Sequence, residues 1–393
     1  MYDLILEDVC LVTSEGISND LVDLAITNGL VARIGHDLSR EPSKQRVAIA
    51  GDYVSAGWID FHVHCFAYST DYGTFPDSIG VGSGTTTVVD QGSAGALTFP
   101  GFYQFMVKPA KTRVLSFLNV GLAGTIKGSM LPPLHGPEMV DVDFSLQMIA
   151  QYPQVIRGIK THAEMGGVSR WGYEVLKLAK NIASKASIPL YVHTGRLIPA
   201  LEDRLPNPDD VIPEALKYLG PGDILTHCFT GHEGGILSRS GYVHESVKEA
   251  LESGLLLDVG YGEHFSFDTA QKVLDQGVKP YILSSDVHAA FGQPHSLEAR
   301  YGLAGAMSRM MALGFSLPDV TAMVTQNPAQ ALGLSDDVGV VSPGRSADLT
   351  VFTVEQGDYV FSDPWGAKRP GQSRIVPLYA VRQGQLYSVS TDG

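Results

Sequence analysis

Eight short apolar runs limit the folds open to this chain more than any other feature, at residues 58–62, 85–90, 113–119, 155–160, 189–193, 223–227, 255–259 and 281–286. Each has the length and composition of a strand in a buried parallel sheet, and most are followed by a loop and then a helix-like stretch. Eight such units make up a (β/α)8 TIM barrel, an α/β fold whose chemistry sits at the C-terminal ends of its strands. The sequence offers its own check on that reading, because chemistry-bearing residues should then close the runs.

Five of the eight runs obey this. The first leads through Gly57-Trp58-Ile59-Asp60-Phe61-His62-Val63-His64 and the fourth ends in Gly158-Ile159-Lys160. The fifth, sixth and eighth are Leu190-Tyr191-Val192-His193, Ile224-Leu225-Thr226-His227 and Ile282-Leu283-Ser284-Ser285-Asp286. Residues i and i+2 of a strand share a face, so His62 and His64 aim at one point. A lone strand-end histidine is more often a satisfied polar residue than a ligand. Four imidazoles and a carboxylate on one rim instead suit zinc or a similar borderline divalent ion, with a position left open for water or substrate. Lys160 is the odd member, because an ammonium is repelled by cations and lysine is ordinarily a surface residue, yet this one ends a buried strand. Carboxylation by carbon dioxide is one chemical solution, turning the amine into an anionic carbamate whose two oxygens can bridge two metals.

The two ends of the chain have a different character. Residues 23–34 alternate around Asn28-Gly29 as a tight-turned hairpin, and residues 348–352 and 378–387 look similar. The ends are expected to pair into one small β-sandwich-like module. This divides the chain into 1–56 (N-terminal part of the module), 57–335 (barrel) and 336–393 (C-terminal part). Pro132-Pro133 and Asn207-Pro208-Asp209-Asp210 read as loops, the second within a long stretch between strands five and six suited to a lid or an oligomer contact. Residues 308–314 and Asn327-Pro328-Ala329 read as helices beside the barrel, with core methionines.

At 393 residues and 44% hydrophobic content the chain can bury one large core plus a smaller module. A formal charge of −14 argues against nucleic acid, and no apolar run reaches membrane-spanning length. Cys10, Cys65 and Cys228 give no even disulfide framework, and the first residues carry no basic leader, so a cytoplasmic protein without membrane attachment is expected. The partners expected are a small-molecule substrate and, for assembly, further copies of the chain.

The ordered set His-x-His, Lys, His, His, Asp on strands one, four, five, six and eight resembles the binuclear branch of the amidohydrolase superfamily, and the likeness spans nearly the whole chain. Residues 56–64 are similar to the family's Pro-Gly-x-Ile-Asp-x-His-x-His, with Ala56 in place of proline, and Gly344-Arg345-Ser346-Ala347-Asp348-Leu349 is similar to its Gly-x-x-Ala-Asp-Leu. Residues 158–160, 225–231, 257–262 and 284–288 resemble a dihydroorotase-related branch of deacetylases that act on small acetylated hydroxy acids or amino acids. The resemblance implies one metal, zinc by donor type, on His62, His64 and Asp286, and a second on His193 and His227. It further implies a carboxylated Lys160 between them, a bridging hydroxide as nucleophile, and Asp286 as both ligand and acid/base. Substrate contacts are expected from Arg170, Arg196, Tyr261, His264 and His288, arginine being suited to grip a carboxylate.

Three other readings remain open on this sequence. Opening of a cyclic amide, as in dihydroorotases and hydantoinases, uses the same metals. A mononuclear deaminase would dispense with Lys160 and usually carries a glutamate soon after the strand-five histidine, where this chain has His193-Thr194-Gly195-Arg196. A non-catalytic scaffold would have lost its metals. His36, His135, His232, His244 and His295 fit no ligand position in this scheme.

Overall fold

A computed structural model describes residues 1–69, 73–126, 131–289 and 302–389; His295 lies outside them. Seven parallel strands form one curled sheet in chain order: Trp58–Val63, Thr85–Gly95, Arg113–Asn119, Ile156–His162, Leu190–His193, Ile224–Thr226 and Leu256–Leu257. Residues 281–287 close the circle, but not as the regular eighth strand expected. Single parallel bridges, Asp258 to Ile282 and Val63 to Val287, join them to strands seven and one. The Asp286 amide also donates to the His62 carbonyl at 2.8 Å. The ladder stops here for two reasons. Asp286 has φ of 53°, outside the β region, and side chains have taken over the pairing: Ser284 bonds the Asp258 carboxylate, and the Ser285 amide bonds Asp60.

The barrel is filled, not hollow. Ile59, Phe61, Phe117, Tyr191, Ile224 and Ile282 come from strands around the circle and pack together, with Phe61 5.6 Å from Phe117 and 5.8 Å from Tyr191. Outside, helices lay apolar stripes on the sheet. Glu174–Ala186 buries Val175, Leu176, Ala179, Ile182 and Ala183, the spacing of one helical face. Gly302–Ala312 buries Met307 and Met310, in line with the core reading of those methionines.

A second expectation is corrected. Residues 207–210 are not a loop but the start of a helix, Pro208–Leu216. Asn207 is its N-cap, its side chain accepting from the Asp209 amide, while Pro208 supplies the preset φ of the first turn and Asp209 and Asp210 favour the positive end of the helix dipole. The residue types that signalled a loop are the same ones that start helices.

Both chain ends enter a second, nine-stranded sheet. Tyr53–Ala56 is the joint: it pairs in parallel with Cys10 and Leu11, and antiparallel with residues 349–352 in the register Ala56 to Leu349. Asn28-Gly29 turns with φ of 53° and 75°, as its sequence anticipates. The hairpin of Leu349–Ser362 and Lys368–Arg382 reaches back over the barrel, where Asp363 accepts from the Phe267 amide and Phe352 packs 5.3 Å from Trp58.

Asp348 ties the two sheets together. Its buried carboxylate accepts from Arg382 (3.2 Å) and the Gln383 amide (2.8 Å), faces Arg113 at 3.4 Å, and its carbonyl accepts from Gly57 (2.7 Å). Removing one member of a buried charge network leaves its partners uncompensated, at a cost of roughly 3–5 kcal/mol. Asp348→Ala should therefore lower the denaturation midpoint strongly in a urea melt, whereas Asp203→Ala, on an exposed pair, should leave it within error.

Candidate active site

The ends of strands one, four, five, six and eight converge. His62 Nε2 lies 3.2 Å and His64 Nε2 3.6 Å from Asp286 Oδ1; His227 Nε2 lies 3.0 Å from His193 Nδ1; and Lys160 Nζ lies 3.4 Å from His62 Nε2. All six residues are buried. Two groups have metal-holding geometry: His62, His64 and Asp286 form one, and His193, His227 and His264 the other.

The outer ring nitrogens show which inner atoms are free. His227 Nδ1 is 2.7 Å from the Gly260 carbonyl and His193 Nε2 is 3.4 Å from the Arg196 carbonyl. A carbonyl can only accept, so those outer nitrogens carry the protons. His64 Nδ1 meets Ser93 Oγ at 3.0 Å and His62 Nδ1 meets the Tyr191 hydroxyl at 3.0 Å. With the outer protons in place, the inner nitrogens of His193 and His227 present two lone pairs to each other across 3.0 Å. Such an arrangement is stable only around something electropositive, and this is the test that a divalent ion passes here. The carbonyl-or-hydroxyl support behind each ring is also the usual setting of metal-ligating histidine.

Charge preferences agree with that donor set. Burial first, then neighbouring cations, holds His62, His64, His193 and His227 well below the ordinary histidine pKa, so they are neutral imidazoles. Burial pushes Lys160 down to about 7 against the pull of Asp286, and raises the Asp286 carboxyl well above the usual range. Two ligand candidates sit in left-handed backbone, His227 at φ 60° and Asp286 at φ 53°, a local strain that tends to persist where a site requires it. The loop after strand seven presses on both. A Cβ at Gly260 would stand 2.7 Å from His227 Nδ1, and one at Gly262 would stand 2.2 Å from Asp286 Oδ2.

The expected substrate contacts divide. His288 lies with its ring 6.2 Å from that of His64, and Arg196, exposed, follows His193. Tyr261 is buried against Phe265 with the Arg309 guanidinium 5.1 Å from its ring. Arg170 is on the helix Met165–Trp171 and donates its Nε–H to the Pro199 carbonyl, joining that helix to a loop, and belongs to neither cluster. His264 stands closer to the centre than its expected role, 4.1 Å from the His227 ring, and its buried Nδ1 has no hydrogen-bond partner among the described residues. Sequence reasoning missed Tyr191 and Asp258, which lie inside the apolar runs, and Trp365. The Trp365 indole reaches the His264 carbonyl at 3.4 Å and packs 4.8 Å from the His232 ring. Nothing in the sequence placed a C-terminal tryptophan beside strand six.

Comparison with known proteins gives concordant results. The model of the amidohydrolase family matches residues 53–372. A deacetylase of Agrobacterium fabrum is 32% identical over 379 residues, 96% of this chain and 89% of the relative. The solved structure of a dihydroorotase superposes with a TM-score of 0.85 at 32% identity, covering 99% of this chain and 98% of the other. That of an adenine deaminase does so with a TM-score of 0.84 at 29% identity, covering 99% and 100%.

The close approach of Gly262 to Asp286 can be tested directly. Gly262→Ala should displace the carboxylate and weaken metal binding at the His62 cluster by on the order of 10–100-fold. Zinc titration with circular dichroism as a fold control measures this, and unchanged affinity would show that Asp286 is not a ligand.

Proposed function

This chain belongs to the amidohydrolase family, and on that premise we propose that it removes the acetyl group from a small acetylated α-hydroxy or amino acid, using two divalent ions. The observation that carries the proposal is the placing of Lys160 Nζ, 3.4 Å from His62 Nε2, within a rim whose other members are neutral imidazoles and one carboxylate. A buried lysine brought down to about 7 has a substantial neutral fraction at physiological pH, and a neutral amine is the form that adds carbon dioxide. That addition releases one proton and leaves an anionic carbamate, a charge that suits a rim of neutral imidazoles around two cations. His62, His64 and Asp286 would hold one ion and His193 and His227 the other, and the imidazole-rich donor set favours zinc. Ions bound there would polarise the substrate carbonyl and lower the pKa of water to roughly 7.

The protein's own groups then have distinct tasks. Asp286 takes the proton released by the attacking water and returns it to the leaving oxygen or nitrogen. Arg196 and His288, on the loops after strands five and eight, would receive the substrate carboxylate, and the similarity to a deacetylase supports an acyl substrate. Opening of a cyclic amide is the second reading, favoured by the superposition on a dihydroorotase. Either substrate is small, and no helix among the described residues is long and apolar enough to cross a membrane.

Two measurements test this reading. Elemental analysis of the purified protein, with assays on matched N-acetyl and O-acetyl acids, dihydroorotate and hydantoin, should show two ions per chain and deacetylation. Ring opening alone would move the protein to the second reading, and no metal with no turnover after zinc and bicarbonate would overturn both. Asp286→Asn should keep much of the metal while losing roughly 10²–10⁴-fold in kcat, the scale of a missing acid/base. Near-normal turnover in that variant would remove Asp286 from its role.

A further inference from the structure

We propose that Tyr191 and Asp258 are positioning residues that set the tautomer of His62 and so prepare it to bind metal. The inference rests on the proposed ligand role of His62. Of the four ligand histidines, His193 and His227 have their outer nitrogens fixed by backbone carbonyls, which can only accept. The outer partner of His62 is the Tyr191 hydroxyl, 3.0 Å from Nδ1, and a hydroxyl by itself either donates or accepts.

A count of hydrogens removes the ambiguity. The Tyr191 hydroxyl donates to Asp258 Oδ2. Thr226 Oγ1 donates to the same carboxylate at 2.8 Å, and Ser284 Oγ at 2.7 Å. Each hydroxyl has one proton, and all three are spent on Asp258, since an ionised carboxylate has none to return. Tyr191 therefore offers His62 only a lone pair, His62 must carry its proton on Nδ1, and Nε2 is left bare toward Asp286 and Lys160. Burial raises the Asp258 carboxyl from its ordinary range, and the three hydroxyls oppose that by stabilising the ionised form.

The tyrosine ring serves the same end. Its centroid is 4.5 Å from Lys160 Nζ and 5.3 Å from the His62 ring, which meets it edge-on. Tyr191 is two residues before His193, so it shares that strand face one layer deeper in the barrel. Thr226, Asp258 and Ser284 bring strand six, the segment after strand seven and the closing segment into the same layer. A fully buried phenol is costly unless its hydroxyl is paired, and here both of its neighbours are used.

Tyr191→Phe keeps the ring and removes the hydroxyl, leaving His62 Nδ1 without its acceptor. The test is zinc titration of the metal-free protein against a competing chelator, alongside ¹⁵N shifts of labelled histidine in the metal-free wild type. The expected result is a 10–100-fold weaker affinity for one of the two zinc ions in Tyr191→Phe, the other ion and the melting temperature staying close to wild type, with His62 in the Nδ1–H form in the wild type. Asp258→Asn, in which the amide can donate back to Tyr191, should shift His62 toward the Nε2–H form. Zinc binding by Tyr191→Phe at wild-type affinity, or an Nε2–H tautomer in the wild type, would overturn the inference while leaving the proposed function standing. If the wild type binds no zinc, the function fails and this role fails with it.

Discussion

Two unprotonated nitrogens held 3.0 Å apart, His193 Nδ1 and His227 Nε2, are the constraint to which much of the structure answers. In a protein without a metal this pair would relax by rotating one ring or taking up a proton. Neither route is open, because the Gly260 and Arg196 carbonyls fix the outer nitrogens and burial disfavours the imidazolium. On strand one, His62 and His64 turn their inner nitrogens toward the Asp286 carboxylate. Such a rim stores unfavourable electrostatics that an ion would relieve, so metal affinity is built into the fold through groups that never touch the metal.

Keeping those rings in place has a cost in regular structure. The closing segment of the barrel gives up a continuous ladder so that Asp286 can leave the β region, and side-chain bonds to two buried carboxylates, Asp60 and Asp258, hold it instead. The loop after strand seven must approach so closely that glycine is required at 260 and 262. At the C-terminal rim, left-handed backbone at His227 and Asp286 coincides with buried ionisable groups, while the interior below it is filled by packed aromatic and branched side chains. Left-handed backbone at buried ionisable residues, held in place by neighbouring side chains and close glycines, is the expected signature of a site.

This division explains what could be read from the sequence. The strands were legible because runs such as Leu190-Tyr191-Val192-His193 are apolar until they stop, and the rim residues because ionisable groups at those stops are unusual. Tyr191 and Asp258 were hidden by the same logic: a phenol within an apolar run counts as core, and its hydroxyl's partners lie 67 and 129 residues away in the chain. His264 and Trp365 depend on how loops fold over the rim, which no periodicity encodes. The helix at 208–216 was misread because Asn, Pro and Asp punctuate both loops and helix starts, and only the apolar spacing of Val211, Ile212 and Ala215 tells them apart.

The proton-transfer role proposed for Asp286 is supported by the bonds that four other buried carboxylates of the barrel already make. Asp60 accepts from the Ser285 amide at 2.9 Å, Asp90 from the amides of Cys65 and Ser93, both at 2.8 Å, and Asp258 from three hydroxyls. Glu164, two residues past the end of the strand-four run's Lys160-Thr161-His162, caps the helix Met165–Trp171 through the amides of Gly166 and Gly167. Each of these oxygens already serves a structural bond whose loss would release a strand or a helix end. Among the described buried carboxylates, Asp286 is the one that faces the inner nitrogens of the rim, so a proton can come and go there without unfastening the barrel. In the proposed reaction this separation leaves some carboxylates bracing and one moving a proton, so no glutamate is needed after the strand-five histidine, where Thr194-Gly195-Arg196 would instead supply a cation for substrate recognition.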